Sequence, residues 1–133
     1  MKKINQVNIA HSRNKKYKKL LEKISEANVC PFCQTHLTTY HEKPLLKKTS
    51  DWILTENMNP YDGTKIHLLF ILKRNAKNIL DLKNTEIKNL FKLIKWSIKK
   101  YKIPGGSVII RFGDTDYTGG SVSHLHAQLV SGN

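Results

Sequence analysis

The sequence of 133 residues contains few cysteines and no long apolar run. Its two cysteines allow at most one disulfide, so we expect the cytoplasm as the compartment. The longest uncharged apolar run, Ile66 to Leu72, is far shorter than the roughly 20 residues that cross a bilayer. The basic start of the chain lacks the apolar stretch and the cleavage site of a secretory signal. We therefore expect neither a membrane-spanning segment nor a secretory signal.

Arginine is also scarce, although the chain is strongly basic. Lysine contributes 20 of the 23 basic residues, against 10 acidic ones, and the formal net charge is +13. Recognition of base edges favours the planar guanidinium of arginine over the ammonium point charge of lysine. Sequence-specific recognition of nucleic acid is therefore not favoured. A general attraction to phosphate-bearing ligands stays open.

A basic segment, residues 1–29, precedes the rest of the chain. Apolar side chains recur in it at three- and four-residue steps, which predicts a helix over about residues 14–28. These side chains are Tyr17, Leu20, Leu21, Ile24 and Ala27. Most of the lysines fall on the other face, which we interpret as a solvated surface. The alternative is a nucleic-acid patch that contains Lys15, Lys16, Lys18 and Lys19.

The rest of the chain combines short apolar runs with one long amphipathic stretch. Strands are predicted over residues 52–55, 66–72, 107–112 and 122–130. A helix is predicted over residues 84–103, with Asn84 as its N-cap and Glu86 in its first turn. Phe91 and Trp96 on this helix are interpreted as core or dimer contacts. The predicted class is α+β, with a mostly antiparallel sheet, a long helix and an N-terminal helix.

The predicted strand over residues 122–130 carries the most chemistry. A period of two places His124, His126 and Gln128 on one face. The same period places Leu125, Ala127 and Leu129 on the other face, where they can pack on a core. The preceding Gly119-Gly120-Ser121 can bring backbone N–H groups and a hydroxyl close to an anion, which predicts a phosphate site. A half-exposed strand with incidental polar residues is the alternative.

The segment from Gly119 to Val130 resembles the signature of the histidine triad (HIT) superfamily. That signature alternates three histidines with apolar residues, and Gln128 stands at the third histidine position. In this replacement the sequence resembles the transferase branch of the superfamily, which includes galactose-1-phosphate uridylyltransferase and diadenosine tetraphosphate phosphorylase. Residues 66–74 resemble the family strand that carries a histidine and ends in a basic pair. Asn57 lies where the family has a ribose-contacting residue.

The resemblance covers about residues 30–130 and implies both a domain and an activity. It implies a HIT-like domain over residues 30–133, on which the segment 1–29 packs. It implies a homodimer to which the helix carrying Glu86 contributes. It also implies a nucleotide-binding enzyme that catalyses nucleotidyl transfer or hydrolysis through a covalent nucleotidyl-His126 intermediate. The alternative is a non-catalytic module of the same fold that binds a nucleotide or a nucleic acid.

Roles for individual side chains follow from the same resemblance. His126 is the implied nucleophile, and Ser121 and Gln128 are implied to hold phosphate oxygens. The implied nucleotide-binding residues are Asn57, Gly119, Gly120, Ser121 and Gln128. Because glutamine cannot donate a proton as an acid, leaving groups that depart as stable anions suit this site. Arg111 is a further candidate for an anion contact.

Cys30-Pro31-Phe32-Cys33 resembles the CxxC of zinc-containing members. The zinc ligands that this implies are Cys30, Cys33 and His124. A closed structural zinc site has four ligands, and the fourth family position holds Asn75 instead of histidine. His36 and His67 are the alternatives for that ligand. A glutaredoxin-like redox motif and cysteines that only pack are the other interpretations.

Overall fold

A computed structural model describes residues 7, 9, 15–27, 30–33, 37, 40–41 and 43–132. The first helix, α1, spans Lys15–Ala27, and the long helix, α2, spans Asn84–Lys100. The strands are β1 Leu45–Lys48, β2 Trp52–Glu56, β3 Thr64–Leu72, β4 Ser107–Arg111 and β5 His126–Gly132. A 3-10 turn, Ile79–Asp81, precedes α2, and a short helix, α3 Thr115–Thr118, follows β4. The predicted α+β class is confirmed.

The five strands form one sheet in the order β1-β2-β3-β5-β4, and each neighbouring pair is antiparallel. β5 lies between β3 and β4, so the histidine-bearing strand is inside the sheet and not at its edge. In the β3–β5 register, Leu69 lies opposite Gln128 and Ile71 lies opposite His126. This pairing brings side chains of two distant segments to the same face of the sheet.

The two faces of the sheet are covered by different parts of the chain. On one face, α2 packs against the main core through Leu90, Leu93 and Ile94. Leu125, Ala127 and Leu129 belong to this core, which confirms the predicted apolar face of that segment. On the other face, Leu69 and Ile71 pack with Leu37 and with Ile53 of β2. The apolar side of α1 forms a third cluster, in which Leu21 and Ile24 contact Val122.

Three local predictions differ from the structure. β5 begins at His126 and not at Val122, because the N–H of Leu125 donates to the carbonyl of Ala76 in a loop (2.7 Å) instead of pairing in the sheet. β1 has no counterpart among the predicted strands. Asn84 is the first residue of α2, and Lys83 is its N-cap.

The two aromatic residues of α2 differ in burial. Trp96 packs partly buried against the core, whereas Phe91 is 56% exposed. None of the helices in the described part of the chain is long and apolar enough to cross a membrane.

The division into a segment 1–29 and a domain 30–133 stays a prediction. His36, an alternative zinc ligand, lies outside the described residues.

A buried carboxylate fastens the start of α2 to the end of β3. Arg74 donates from Nε and Nη2 to the two carboxylate oxygens of Glu86, each at 2.9 Å. The N–H of Lys83 also donates to Glu86, at 2.8 Å, and this satisfies one of the free donors at the helix start. The hydrogen bonds from Arg74 hold the pKa of Glu86 below its usual range, and the N–H of Lys83 adds to this.

We predict that Glu86→Gln lowers the free energy of unfolding at pH 7 by about 1–2 kcal/mol, since Arg74 is partly exposed and its pairing is screened. The pKa of Glu86 is lower in the folded state, so its contribution is complete above the unfolded-state pKa of about 4.3. That contribution is lost as the pH falls through the folded-state pKa. Urea unfolding of parent and variant at pH 7 and pH 3 measures the difference.

Glu56→Gln is the matched control for this prediction. Glu56 faces Lys43 at 4.0 Å, and both side chains are about half exposed, so little change in stability is expected. A loss for Glu86→Gln that is as large at pH 3 as at pH 7 would contradict the pairing as its cause.

Candidate functional site

One cavity collects the catalytic and nucleotide-binding residues predicted from the sequence. It has a volume of about 160 Å³ and lies beside the start of β5. The predicted residues that line it are Asn57, Gly119, Gly120, Ser121, His126 and Gln128. Arg111, the further candidate for an anion contact, also lines it. Side chains from four separate stretches of sequence therefore face one space.

His126 is held in one tautomer by a backbone group. Its Nδ1 lies 2.8 Å from the carbonyl oxygen of His124, and a carbonyl can only accept, so Nδ1 carries the proton. In a neutral ring, Nε2 then keeps a free electron pair. Burial lowers the pKa of His126 to about 4, which keeps the ring neutral at pH 7. The arrangement provides a neutral imidazole with an unprotonated nitrogen in the cavity.

Gln128 is oriented by His67, a residue of β3. The backbone N–H of Tyr61 donates to Nδ1 of His67 (3.2 Å), so the ring proton of a neutral His67 is on Nε2. Nε2 lies 2.6 Å from Oε1 of Gln128 and donates to it. Because this bond uses the oxygen of the carboxamide, its NH₂ group is left to face other partners. Asn57 lies beside this pair, with Nδ2 at 3.1 Å from Nε2 of His67, which is a contact between two donors and not a hydrogen bond in this tautomer.

The sequence indicates His67 only as an alternative zinc ligand and does not indicate its contact with Gln128. That alternative is wrong, because His67 is not among the residues that gather at the metal cluster and its two ring nitrogens are bonded to Tyr61 and Gln128. The signal that could have revealed its position is the period of two in β3. Once β3 is paired with β5, His67 and Gln128 fall on the same face.

The glycine-containing loop is shaped by Arg111. Gly119 ends α3 with a φ of +73°, a left-handed conformation that glycine adopts readily. A Cβ at Gly120 would lie 2.9 Å from Cδ of Arg111, so a larger residue there would displace the arginine. Arg111 donates to the carbonyl of Thr118 (3.0 Å) and to the hydroxyl of Tyr61 (2.9 Å). The guanidinium thus brings a positive charge to the cavity wall.

The backbone of this loop differs in one respect from the prediction. The N–H of Gly120 donates to the hydroxyl of Thr118 (3.0 Å) and does not face the cavity as an anion donor. The hydroxyl of Ser121 is hydrogen-bonded to the hydroxyl of Tyr17 on α1. α1 therefore contacts the site directly.

A second cluster lies next to the cavity and consists of Cys30, Cys33 and His124. Their ligand atoms all lie within 4.8 Å of one another. Nδ1 of His124 is 3.1 Å from Sγ of Cys30 and 3.7 Å from Sγ of Cys33. Nε2 of His124 donates to the carbonyl of Leu72 (2.6 Å), which leaves the electron pair of Nδ1 directed at the sulfurs.

This donor set fits a zinc ion. Two sulfurs and one imidazole nitrogen are typical zinc ligands, and a second-shell carbonyl commonly fixes the tautomer of a ligand histidine. Both cysteines are free, and burial raises the pKa of Cys30 to about 12, so a bound cation is needed to hold its thiolate at pH 7. A nitrogen donor beside both sulfurs favours a metal site over a redox dithiol.

Asn75 lies beside the cluster, at the family position of the fourth ligand, but it presents a hydrogen-bond donor to the cluster. Its Nδ2 donates to Sγ of Cys33 at 3.3 Å, so it contacts a ligand atom through a donor group. Among the described residues, three side chains can therefore supply metal ligands at this cluster. His36, the remaining alternative, lies outside the described residues.

Phe32 joins the cysteine cluster to the cavity. It lies between the two cysteines in the sequence and packs edge-to-face on His126, with ring centroids 5.0 Å apart. It also contacts the ring of His124 at 6.3 Å and lines the cavity. Its position between the two cysteines does not by itself indicate this contact.

Several solved structures with a similar arrangement of strands and helices are described as histidine triad proteins. A histidine triad nucleotide-binding protein from Candida albicans superposes with a TM-score of 0.66 at 18% identity, over 79% of this chain and 76% of that one. The chain has the histidine triad fold. A hypothetical histidine triad nucleotide-binding protein from Sulfolobus tokodaii gives a TM-score of 0.63 at 21% identity, over 77% of this chain and 68% of that one.

A zinc-bound histidine triad family protein from Mycobacterium smegmatis shares the histidine triad fold as well. Its TM-score is 0.55 at 15% identity, over 76% of this chain and 75% of that one. No protein-family model and no curated protein matches the sequence. The HIT-like fold predicted from short motifs is thus confirmed by the three-dimensional arrangement.

We predict that protein purified without chelator contains about one zinc ion per chain, and that Cys30→Ser or Cys33→Ser removes it. Asn75→His should bind zinc more tightly than the parent, since it adds a nitrogen ligand beside Cys33. Metal analysis gives the stoichiometry, and competition with a chromophoric chelator gives the affinity. His41→Ala is the control, because His41 bonds to Thr55 and lies outside the cluster. Substoichiometric zinc with two freely titrating thiols would remove the zinc site.

Proposed function

We propose that the protein is a nucleotide-binding enzyme of the histidine triad family. It catalyses nucleotidyl transfer or hydrolysis on a nucleoside phosphate substrate. The observation that carries this proposal is His126, a neutral imidazole whose proton is held on Nδ1 by the carbonyl of His124. It shares its cavity with Gln128, Ser121 and Arg111, which can bind phosphate oxygens. The structural similarity to proteins described as nucleotide-binding supports the ligand class.

In the first step, Nε2 of His126 attacks the phosphorus of the bound nucleotide. A P–N bond forms, the P–O bond to the leaving group breaks, and that oxygen leaves with the electron pair. In the second step, the oxygen of water or of another acceptor attacks the same phosphorus. The P–N bond then breaks, its electron pair returns to Nε2, and the proton of the acceptor is released to water. The covalent intermediate is nucleotidyl-His126.

The residues around His126 stabilise charge on the phosphoryl oxygens. His67 does not take part in the covalent steps. It donates a hydrogen bond to the oxygen of the Gln128 carboxamide, so the NH₂ group of Gln128 can donate to a phosphoryl oxygen. Ser121 contributes a hydroxyl donor, and Arg111 contributes a positive charge. These donors are in place before the substrate arrives, which reduces the reorganisation that the reaction requires.

Gln128 also restricts the leaving group. A carboxamide does not supply a proton, so the leaving oxygen has to be stable as an anion, as a phosphorylated leaving group is. Phosphoramidates, whose amine must be protonated, suit this site less well. This chemistry agrees with the resemblance to the galactose-1-phosphate uridylyltransferase branch.

Cys30, Cys33 and His124 would hold a structural zinc ion, and the fit of the three donors supports this. When bound, the ion supplies a crosslink between the cysteine loop and the segment that precedes β5. Two neighbouring residues position the ring of His126. Phe32 covers one side of it, and the carbonyl of His124 accepts from its Nδ1.

Two further properties belong to the proposal. A homodimer is supported by the partly exposed apolar side chains of Ile87 and Phe91 on α2 and of Val108 on the edge strand β4. The cytoplasm is supported by the two free cysteines. The segment 1–29 and the domain 30–133 are proposed to act together, since Tyr17 reaches Ser121.

We predict that incubation with a dinucleoside polyphosphate or a nucleotide sugar yields a nucleotidyl-protein that intact-mass spectrometry detects. His126→Ala should abolish the adduct and lower turnover by at least about 10³-fold, because no other group replaces the nucleophile. Lys92→Gln, an exposed residue of α2 that does not line the cavity, is the control and should retain the adduct. Turnover by His126→Ala at the parental rate would refute the mechanism. Tight, salt-sensitive binding of nucleic acid without turnover would support the non-catalytic alternative.

We predict that His67→Phe lowers kcat by about 10- to 100-fold with a smaller change in KM, since Gln128 loses the donor that orients it. His67→Gln keeps a donor in the side chain and should restore part of kcat. Steady-state kinetics on both variants measures the effect, and thermal unfolding confirms that they fold. A parental kcat in His67→Phe would show that Gln128 does not depend on His67.

A further inference from the structure

A basic groove runs along α1, outside the set of residues assigned to the reaction. It has a volume of about 370 Å³. The residues that line it are Lys16, Tyr17, Lys19, Leu20, Lys23, Met58 and Asn59. We call it the lysine groove after its three exposed lysines. The sequence alone favours a solvated helix surface here, with a nucleic-acid patch as the alternative.

The lysine groove is adjacent to the cavity of His126. Tyr17, Met58 and Asn59 line both spaces. Tyr17 is also hydrogen-bonded to Ser121, a proposed phosphate ligand. A ligand that extends from the reacting phosphate past Ser121 reaches the groove at Tyr17.

The three lysines form a row along one side of α1. Lys16, Lys19 and Lys23 are separated by three and four residues, so they lie on one side of the helix. At a rise of about 1.5 Å per residue, the row is about 10 Å long. This length accommodates more than one phosphate group, and lysine is a common phosphate ligand in proteins.

The lysines at the start of α1 are unfavourable for helix stability. The first turn of α1 contains lysines and no acidic residue, and the N-terminal end of a helix dipole is already positive. Lys15 with Lys19, and Lys19 with Lys23, are like-charged pairs at a spacing of four residues. The burial of Leu21 and Ile24 holds the helix in place despite this repulsion. A bound anion would relieve it.

We propose that the lysine groove binds a phosphate-bearing extension of the substrate. This extension carries at least two phosphate groups beyond the phosphate that His126 attacks. The proposal rests on the proposed function, because it takes the His126 cavity as the place of the reacting phosphate. The phosphates can belong to a polyphosphate chain or to the phosphodiester backbone of a short oligonucleotide, which offer the same charge.

The test compares ligands that differ only in their phosphate extension. Isothermal titration with a nucleoside monophosphate, the corresponding triphosphate and inorganic tripolyphosphate is carried out on the parent and on Lys16→Gln/Lys19→Gln/Lys23→Gln. The control is Lys88→Gln/Lys92→Gln/Lys95→Gln, which removes three exposed charges from α2, on the opposite face of the sheet. Both triple variants lose the same net charge, and circular dichroism confirms that both fold.

In the parent, we expect the triphosphate to bind about 10-fold more tightly than the monophosphate, because its additional phosphates pair with three exposed lysines. The groove variant should lose most of this advantage and most binding of tripolyphosphate, whereas the α2 variant should keep both. The slope of log affinity against log salt should fall only in the groove variant. An undiminished triphosphate advantage in the groove variant, or an equal loss in the α2 variant, would overturn the proposal.

The two proposals fail in different ways. If the parent binds tripolyphosphate in the groove but shows no monophosphate binding and no adduct on His126, the proposed function fails. If monophosphate binding and the adduct persist while the extension adds no affinity, the groove assignment fails. A trinucleotide with a 5′-phosphate, tested beside the triphosphate, identifies the source of the phosphates by the larger gain in affinity.

Discussion

The geometry of the site depends on His124, which is bonded through three of its atoms. Its Nε2 donates to the carbonyl of Leu72, and its Nδ1 faces the sulfurs of Cys30 and Cys33. Its own carbonyl accepts the proton of His126 Nδ1. The ring is completely buried, so none of these partners is readily replaced by water. One residue thus joins the end of β3, the cysteine loop and the proposed nucleophile.

Backbone groups determine where the protons lie on the three histidines that are buried in the described part of the chain. The carbonyl of Leu72 sets the tautomer of His124, the carbonyl of His124 sets that of His126, and the N–H of Tyr61 sets that of His67. A backbone carbonyl cannot become a donor, and a backbone N–H cannot become an acceptor. The folded chain therefore assigns the protonation of the site without a carboxylate. Arg111 supplies the positive charge that this neutral group of rings lacks.

The sequence predicts those parts of the structure that depend on local spacing. The period of two around His126 correctly separates the core side chains from the polar ones, because the pleat of a strand imposes it. The α+β class and the fold could be recognised from the segment around Gln128 and from the strand that carries His67. Both depend on short, contiguous stretches of chain.

The remaining features depend on which segments meet in space. The contact between His67 and Gln128 exists only in the register of β3 with β5, and 61 positions separate the two residues. The N-cap of α2 is Lys83 and not the predicted Asn84, because the Glu86 carboxylate accepts from the N–H of Lys83 and from Arg74. The late start of β5 reflects a hydrogen bond to Ala76 in a distant loop. Spacing along the chain contains no information about these pairings.

The position of Phe32 makes the cysteine loop a wall of the reaction chamber. Neither cysteine is among the residues that line the cavity, yet the residue between them rests edge-on against His126. A displacement of the loop would carry this ring with it and uncover one side of the imidazole. The surroundings of His126 therefore depend on the position of the cysteine loop as well as on the sheet.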